Sequence, residues 1–153
     1  MTSVYPVPLP AGEDGGNGLA GKGGVSGERP GRILVVDDER AIGDMFVRVL
    51  KPMSVTFSQS AAGALGRIAA GGRFAAILCD LRMPGMDGMQ FYEEVEKRDP
   101  KLAKRILFVT GAACEPRFEA FLQTTGCAYL PKPIDNDELR RVVLRIASAA
   151  PEG

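Results

Sequence analysis

The chain of 153 residues contains no histidine, which excludes His-ligated zinc, Ser-His and Cys-His nucleophile pairs, and any phosphohistidine of its own. Cysteine is scarce. Cys79 and Cys127 lie in apolar runs, Cys114 precedes a predicted helix, and the three have no metal-ligand spacing. They read as small hydrophobes in a reducing compartment. Neither sign of charge is in excess: nineteen Lys and Arg balance nineteen Asp and Glu, so no net field draws the chain to nucleic acid or an anionic membrane. No apolar run approaches the ~20 residues needed to span a bilayer, and residues 1–10 lack the basic stretch and apolar core of a signal peptide. A soluble, cytoplasmic protein without membrane insertion is expected.

The length suits one domain with a proper core and a tail. Residues 1–31 hold about half of the nineteen glycines, four prolines and almost no apolar periodicity. Such a stretch buries too little surface to offset its ordering entropy and reads as a flexible tail or linker. Gly16, Gly18 and Gly21 fit G-x-G-x-x-G, and residues 16–22 fit G-x-x-x-x-G-K. Those loops cradle phosphate only between a strand and a helix N-terminus, and neither is predicted here. Gly23 also stands where a Ser or Thr would be needed to hold Mg²⁺. Both matches are coincidences of low complexity.

From Arg32 onward, five short apolar runs appear, at 33–36, 55–57, 74–79, 106–109 and 127–130, each followed by a helical pattern. Ile42, Met45, Phe46, Val49 and Leu50 make one stripe, Ala61, Ala64, Leu65 and Ile68 a second, and Leu139, Val142, Val143 and Ile146 the last. Met89, Tyr92 and Val95, then Phe118, Phe121 and Leu122, mark two weaker helices. Ser60 suits an N-cap, Pro116 a first helical turn, and Asp135 with Glu138 a capping box. Strand and helix alternating five times predict an α/β fold: a doubly wound, five-stranded parallel sheet with five helices.

Polar residues end the strands. The first leads into Asp37-Asp38, the third into Asp80, the fourth into Thr110 and the fifth into Lys132-Pro133. Ligands of open parallel sheets bind beyond the carboxyl ends of the strands, where the strand order reverses. In the order 2-1-3-4-5, three carboxylates, a hydroxyl and an ammonium converge there. Clustered carboxylates call for a cation, and an all-oxygen site is what Mg²⁺ prefers. A metal and Lys132 would neutralise a transferring phosphoryl group, and Asp80 could attack phosphorus to form an acyl phosphate. Each residue alone has an ordinary explanation: a helix cap, a strand threonine, a solvated lysine. Those explanations do not account for all five at four strand ends.

Residues 32–148 resemble a two-component response-regulator receiver domain over their whole length. The resemblance rests on I-L-V-V-D-D-E at 33–39, D-L-R-M-P-G-M-D-G at 80–88, V-T-G at 109–111 and Y-L-P-K-P at 129–133. It implies that Asp80 is the phosphorylation site and that Asp38, Asp80 and the Arg82 backbone carbonyl ligate Mg²⁺, with Asp37 acting mainly through water. It implies that Lys132 pairs with the phosphoryl oxygens, before a cis peptide bond to Pro133. Thr110 would be the switch hydroxyl and Tyr129 the coupled aromatic. Arg82 and Ala112 occupy positions resembling those that tune dephosphorylation. The link through Lys51, Pro52 and Met53 is shorter than in most relatives, and Phe118 and Phe121 are bulky for the partner-binding face.

The expected organisation is a tail at 1–31, a receiver domain at 32–149 and a short tail at 150–153. The expected phosphodonor is a histidine kinase, with a downstream protein partner left open. No output domain or DNA contact in cis is expected, because few residues follow the last helix. No enzymatic activity is expected beyond self-phosphorylation and self-dephosphorylation. Two alternatives stand. Residues 4–8, V-Y-P-V-P, weakly resemble the end of a histidine-kinase ATPase domain, so the chain could be the detached receiver of a hybrid kinase. A haloacid-dehalogenase-like phosphatase also uses an aspartyl phosphate, but its D-x-D motif follows the first strand, where this chain has Asp37-Asp38.

Overall fold

The computed structural model describes residues 31–111 and 115–149. The tails expected at 1–31 (up to residue 30) and 150–153, together with Ala112 and Cys114, lie outside the described residues. Four of the five residues of β1 (Arg32–Val36) are buried, a run that suits a central strand covered on both faces. The same holds for β3 (Ala76–Cys79) and β4 (Ile106–Thr110), which have no exposed residue. β2 (Ser54–Ser58) and β5 (Ala128–Pro131) are less buried and form the edges. All pairings are parallel and the order is β2-β1-β3-β4-β5, as expected.

Successive strand side chains point to opposite faces, so the apolar runs split into two cores. Leu34, Val36, Ile77, Cys79, Ile106 and Phe108 face α2 (Ala61–Ala69), α3 (Gly88–Arg98) and α5 (Pro116–Thr125). Ile33, Val35, Leu78, Leu107 and Val109 face α1 (Arg40–Val49) and α6 (Asn136–Ser148). The start signals behave as their chemistry requires. Ser60 Oγ accepts from the Gly63 amide at 3.0 Å, Pro116 opens α5, and Asp135 accepts from the amides of Asp137 and Glu138 at 2.9 and 3.1 Å.

One expectation is corrected. The described residues form six helices rather than five, because α4 (Pro100–Ala103) adds one turn between α3 and β4. Asp99 ends α3 in an extended conformation before Pro100, and its carboxylate then accepts from the Leu102 amide at 3.1 Å to start the new turn. Leu102 and Ala103 are buried, which gives so short a helix its anchor.

Candidate functional site

β1 and β3 are neighbours, while the helices after them leave on opposite faces, so a crevice opens at their carboxyl ends. Asp37 and Asp80 sit at its floor, 3% and 9% exposed, and Asp38 stands at its exposed rim. One carboxylate oxygen from each of the three lies within 4.8 Å of the others. Burial pushes the Asp37 carboxyl up from its ordinary range, against the pull of the Glu39 amide, which donates to Oδ1 at 2.9 Å.

Lys132 enters from the end of β5 and reaches across β4's end. Its Nζ donates to Asp80 Oδ2 at 3.2 Å and to Asp37 Oδ2 at 3.4 Å. Burial alone would depress the ammonium, but the charges of Asp80 and Asp37 outweigh it and hold the pKa above lysine's usual value. The backbone aims this side chain: the Lys132 amide donates to the Thr110 carbonyl at 3.0 Å, and the Lys132-Pro133 bond is cis, as the resemblance implied.

Thr110, the last residue of β4, is fully buried. Tyr129 pairs in register with Phe108, and its half-buried ring packs on the core that faces α2, α3 and α5. Thr110 lies two residues past Phe108, hence on that same face, one step further toward the crevice. Arg82 lies in the loop after β3, where its amide donates to Asp80 Oδ1 at 3.3 Å. The crevice thus collects Asp37, Asp38, Asp80 and Lys132, with Thr110 at its buried wall and Tyr129 further down the sheet face.

Other neighbours went unassigned in the sequence. A Cβ on Gly88 would stand 2.6 Å from the Asp80 carbonyl oxygen and 2.8 Å from Leu81 Cα, so only glycine lets α3 start against the end of β3. The Cys79 thiol donates to that same Asp80 carbonyl at 3.2 Å. Outside the crevice, Arg82 pairs with Glu115, and Arg117 lies 3.5 Å from Asp87, tying the loop after β3 to the start of α5. The D-G at 87–88 could have flagged the glycine. The ion pairs join segments about thirty residues apart and leave no local signal.

The donor set suits a hard cation: three carboxylates, two of them buried, are more negative charge than Lys132 alone can balance. A model of the response regulator receiver domain matches residues 33–144. The chain is 31% identical over 119 residues to the DNA-binding transcriptional regulator NtrC of Escherichia coli, covering 77% of this chain and 25% of that protein. It is 35% identical over 124 residues to the response regulator MprA of a Mycobacterium species, covering 78% of this chain and 53% of that one. The chain therefore spans about a quarter to a half of these relatives. Its fold is similar to that of a CheY-like receiver domain protein from Methanospirillum hungatei, with TM-score 0.66 and 29% identity over 75% of this chain and 92% of that one. With two cores, five parallel strands and an acidic crevice all in register with that match, the chain belongs to the response regulator receiver domain family of two-component systems.

Proposed function

We propose that this chain accepts a phosphoryl group on Asp80 from the phosphohistidine of a histidine kinase and signals by a change of shape read by another protein. The observation that carries the reading is Lys132 held between Asp80 and Asp37, an ammonium already aimed at the oxygen that would bear the phosphoryl group. Asp80 Oδ attacks phosphorus, the P–N bond breaks, and its electron pair returns to the partner's imidazole, which regains a proton. Lys132 then transfers its hydrogen bond from the carboxylate to a phosphoryl oxygen. Asp37, Asp38, Asp80 and the Arg82 carbonyl are the residues we assign to Mg²⁺, which supplies the positive charge that offsets the incoming phosphoryl oxygens. Thr110 and Tyr129 are assigned the switch. The only catalysis assigned to the chain is its own phosphorylation and dephosphorylation.

Full-length chain treated with acetyl phosphate and Mg²⁺ should gain one hydroxylamine-labile phosphoryl group by intact mass, and Asp80→Asn none. Labelling of the Asn variant at the wild-type level would overturn the assignment.

A further inference from the structure

β2 is the edge of the sheet, and nothing in its sequence S-V-T-F-S protects it: it has no charge, no proline and no bulge. The Ser58 carbonyl accepts from the Asp37 amide on the inner side. Backbone groups alternate sides along a strand, so those of Val55 and Phe57 face outward, and among the described residues no strand pairs with them. α1 and α2 lie on opposite faces of the sheet, which leaves the outer edge of β2 open between them. An open cleft of about 520 Å³ lies at the carboxyl end of that edge, its lining including Arg40 of α1, Phe57 and Ser58 of β2 with Gln59 after it, and Gly66 and Arg67 of α2.

The cleft has a definite charge. Its lining includes two guanidinium groups and no carboxylate. Arg40 donates to Gln59 Oε1 at 3.3 Å, and among the described residues neither Arg40 nor Arg67 has an acidic partner. It also has room at its α2 wall, where a Cβ on Gly66 would meet nothing within 4 Å.

We propose that this cleft is a docking site for an acidic, extended segment of a partner protein, which adds to the sheet as a sixth strand beside β2. Main-chain bonds to Val55 and Phe57 would provide affinity, and carboxylates on alternate residues would meet Arg40 and Arg67. The charge selects the occupant: a second copy of this edge would bring its own two arginines against these two.

The test uses the full ¹⁵N-labelled chain and two peptides, one alternating valine with glutamate and one alternating valine with lysine. The glutamate peptide should shift the amide signals of Val55, Phe57, Gln59 and Arg67, and the lysine peptide should not. Arg67→Glu should weaken binding about fivefold or more. Gly66→Phe, whose Cβ has open space at an exposed helix position and whose ring would occupy the cleft, should abolish it while leaving the melting temperature and Asp80 labelling as in wild type. Equal binding of both peptides, shifts away from β2, or full affinity in a folded Gly66→Phe chain would overturn the proposal. So would the same amides shifting with protein concentration in the absence of peptide, which would assign the edge to self-association. Asp80→Asn should bind the glutamate peptide as wild type does, so this test stands or fails separately from the phosphoacceptor assignment.

Discussion

Lys132 and the two carboxylates beneath it set the electrostatics of the crevice. With the ammonium in place, each buried carboxylate has a charged donor within 3.4 Å; without it, Asp37 and Asp80 repel across the gap between β1 and β3. Lys132→Met should therefore slow phosphorylation of Asp80 by roughly 10²–10³-fold, the usual loss when one charge-stabilising donor is removed from a reacting centre. Single-turnover labelling by acetyl phosphate at saturating Mg²⁺ measures it, and a rate within a few-fold of wild type would show that Lys132 is not the phosphoryl partner. These residues are legible in the sequence because each ends an apolar run, and a parallel sheet brings such ends together. The pairings of Arg82 with Glu115 and Arg117 with Asp87 are not legible there, since loops of unspecified geometry decide which surface charges meet.

At the scale of elements, α3 is fastened twice at its start. Its start is capped by Asp87 and Gln90, whose side chains and backbone amides bond reciprocally at 3.0 and 2.9 Å, and Gly88 seats it on the Asp80 backbone. Gly88→Ala should force α3 away from β3 at a cost of about 1–3 kcal/mol, as overpacking does, and slow Asp80 labelling in proportion to the displaced carbonyl. Chemical denaturation and the labelling rate should fall together; an unchanged rate in a destabilised chain would uncouple the seat from the chemistry. Further along α3, the Tyr92 ring meets Phe121 of α5 edge-on at 5.4 Å, and Phe121 meets Phe108 of β4 at 5.6 Å. Burial lifts the Tyr92 phenol to about 12, with Cys127 and Glu96 adding to the rise. The folded chain thus holds that proton more tightly than the unfolded chain does, so its contribution is intact below pH 10 and lost as pH rises from 10 toward 12. Denaturation midpoints across that window should fall less steeply for Tyr92→Phe than for wild type. Sequence periodicity marks α3 and α5 only weakly, because their apolar stripes are narrow and much of their anchoring is this aromatic bridge between distant residues. It misses α4 altogether, since four residues are too few to show a period.

At the scale of the whole molecule, a phosphoryl group added at the carboxyl end of the sheet must alter a surface on its flank if the proposed function is to work. A chain without histidine cannot pass a phosphoryl group onward through a phosphohistidine of its own, so in the proposed function its output is conformational. The sheet offers one short path. Thr110 is buried beside the crevice, Tyr129 is half-buried on the same sheet face, and β5 lies between α5 and α6 at the free edge. A phosphoryl group brings roughly −1.5 to −2 charges and new acceptor oxygens to Asp80. The Thr110 hydroxyl turning toward it would vacate space into which the Tyr129 ring can move, giving the α5–β5–α6 face two packings whose balance the phosphoryl group sets. Thr110→Ala removes the hydroxyl but none of the carboxylates and not Lys132. Asp80 should then be phosphorylated at a rate close to wild type, while the response of the flank shrinks. Hydrogen exchange across α5, β5 and α6, measured with and without acetyl phosphate, reads that response without a known partner. Wild type should show a phosphorylation-dependent change there equivalent to a coupling of about 1–3 kcal/mol, and phosphorylated Thr110→Ala should show little or none. An equal change in both chains would remove Thr110 from the switch and shift the coupling to the ring contact of Phe108 with Phe121.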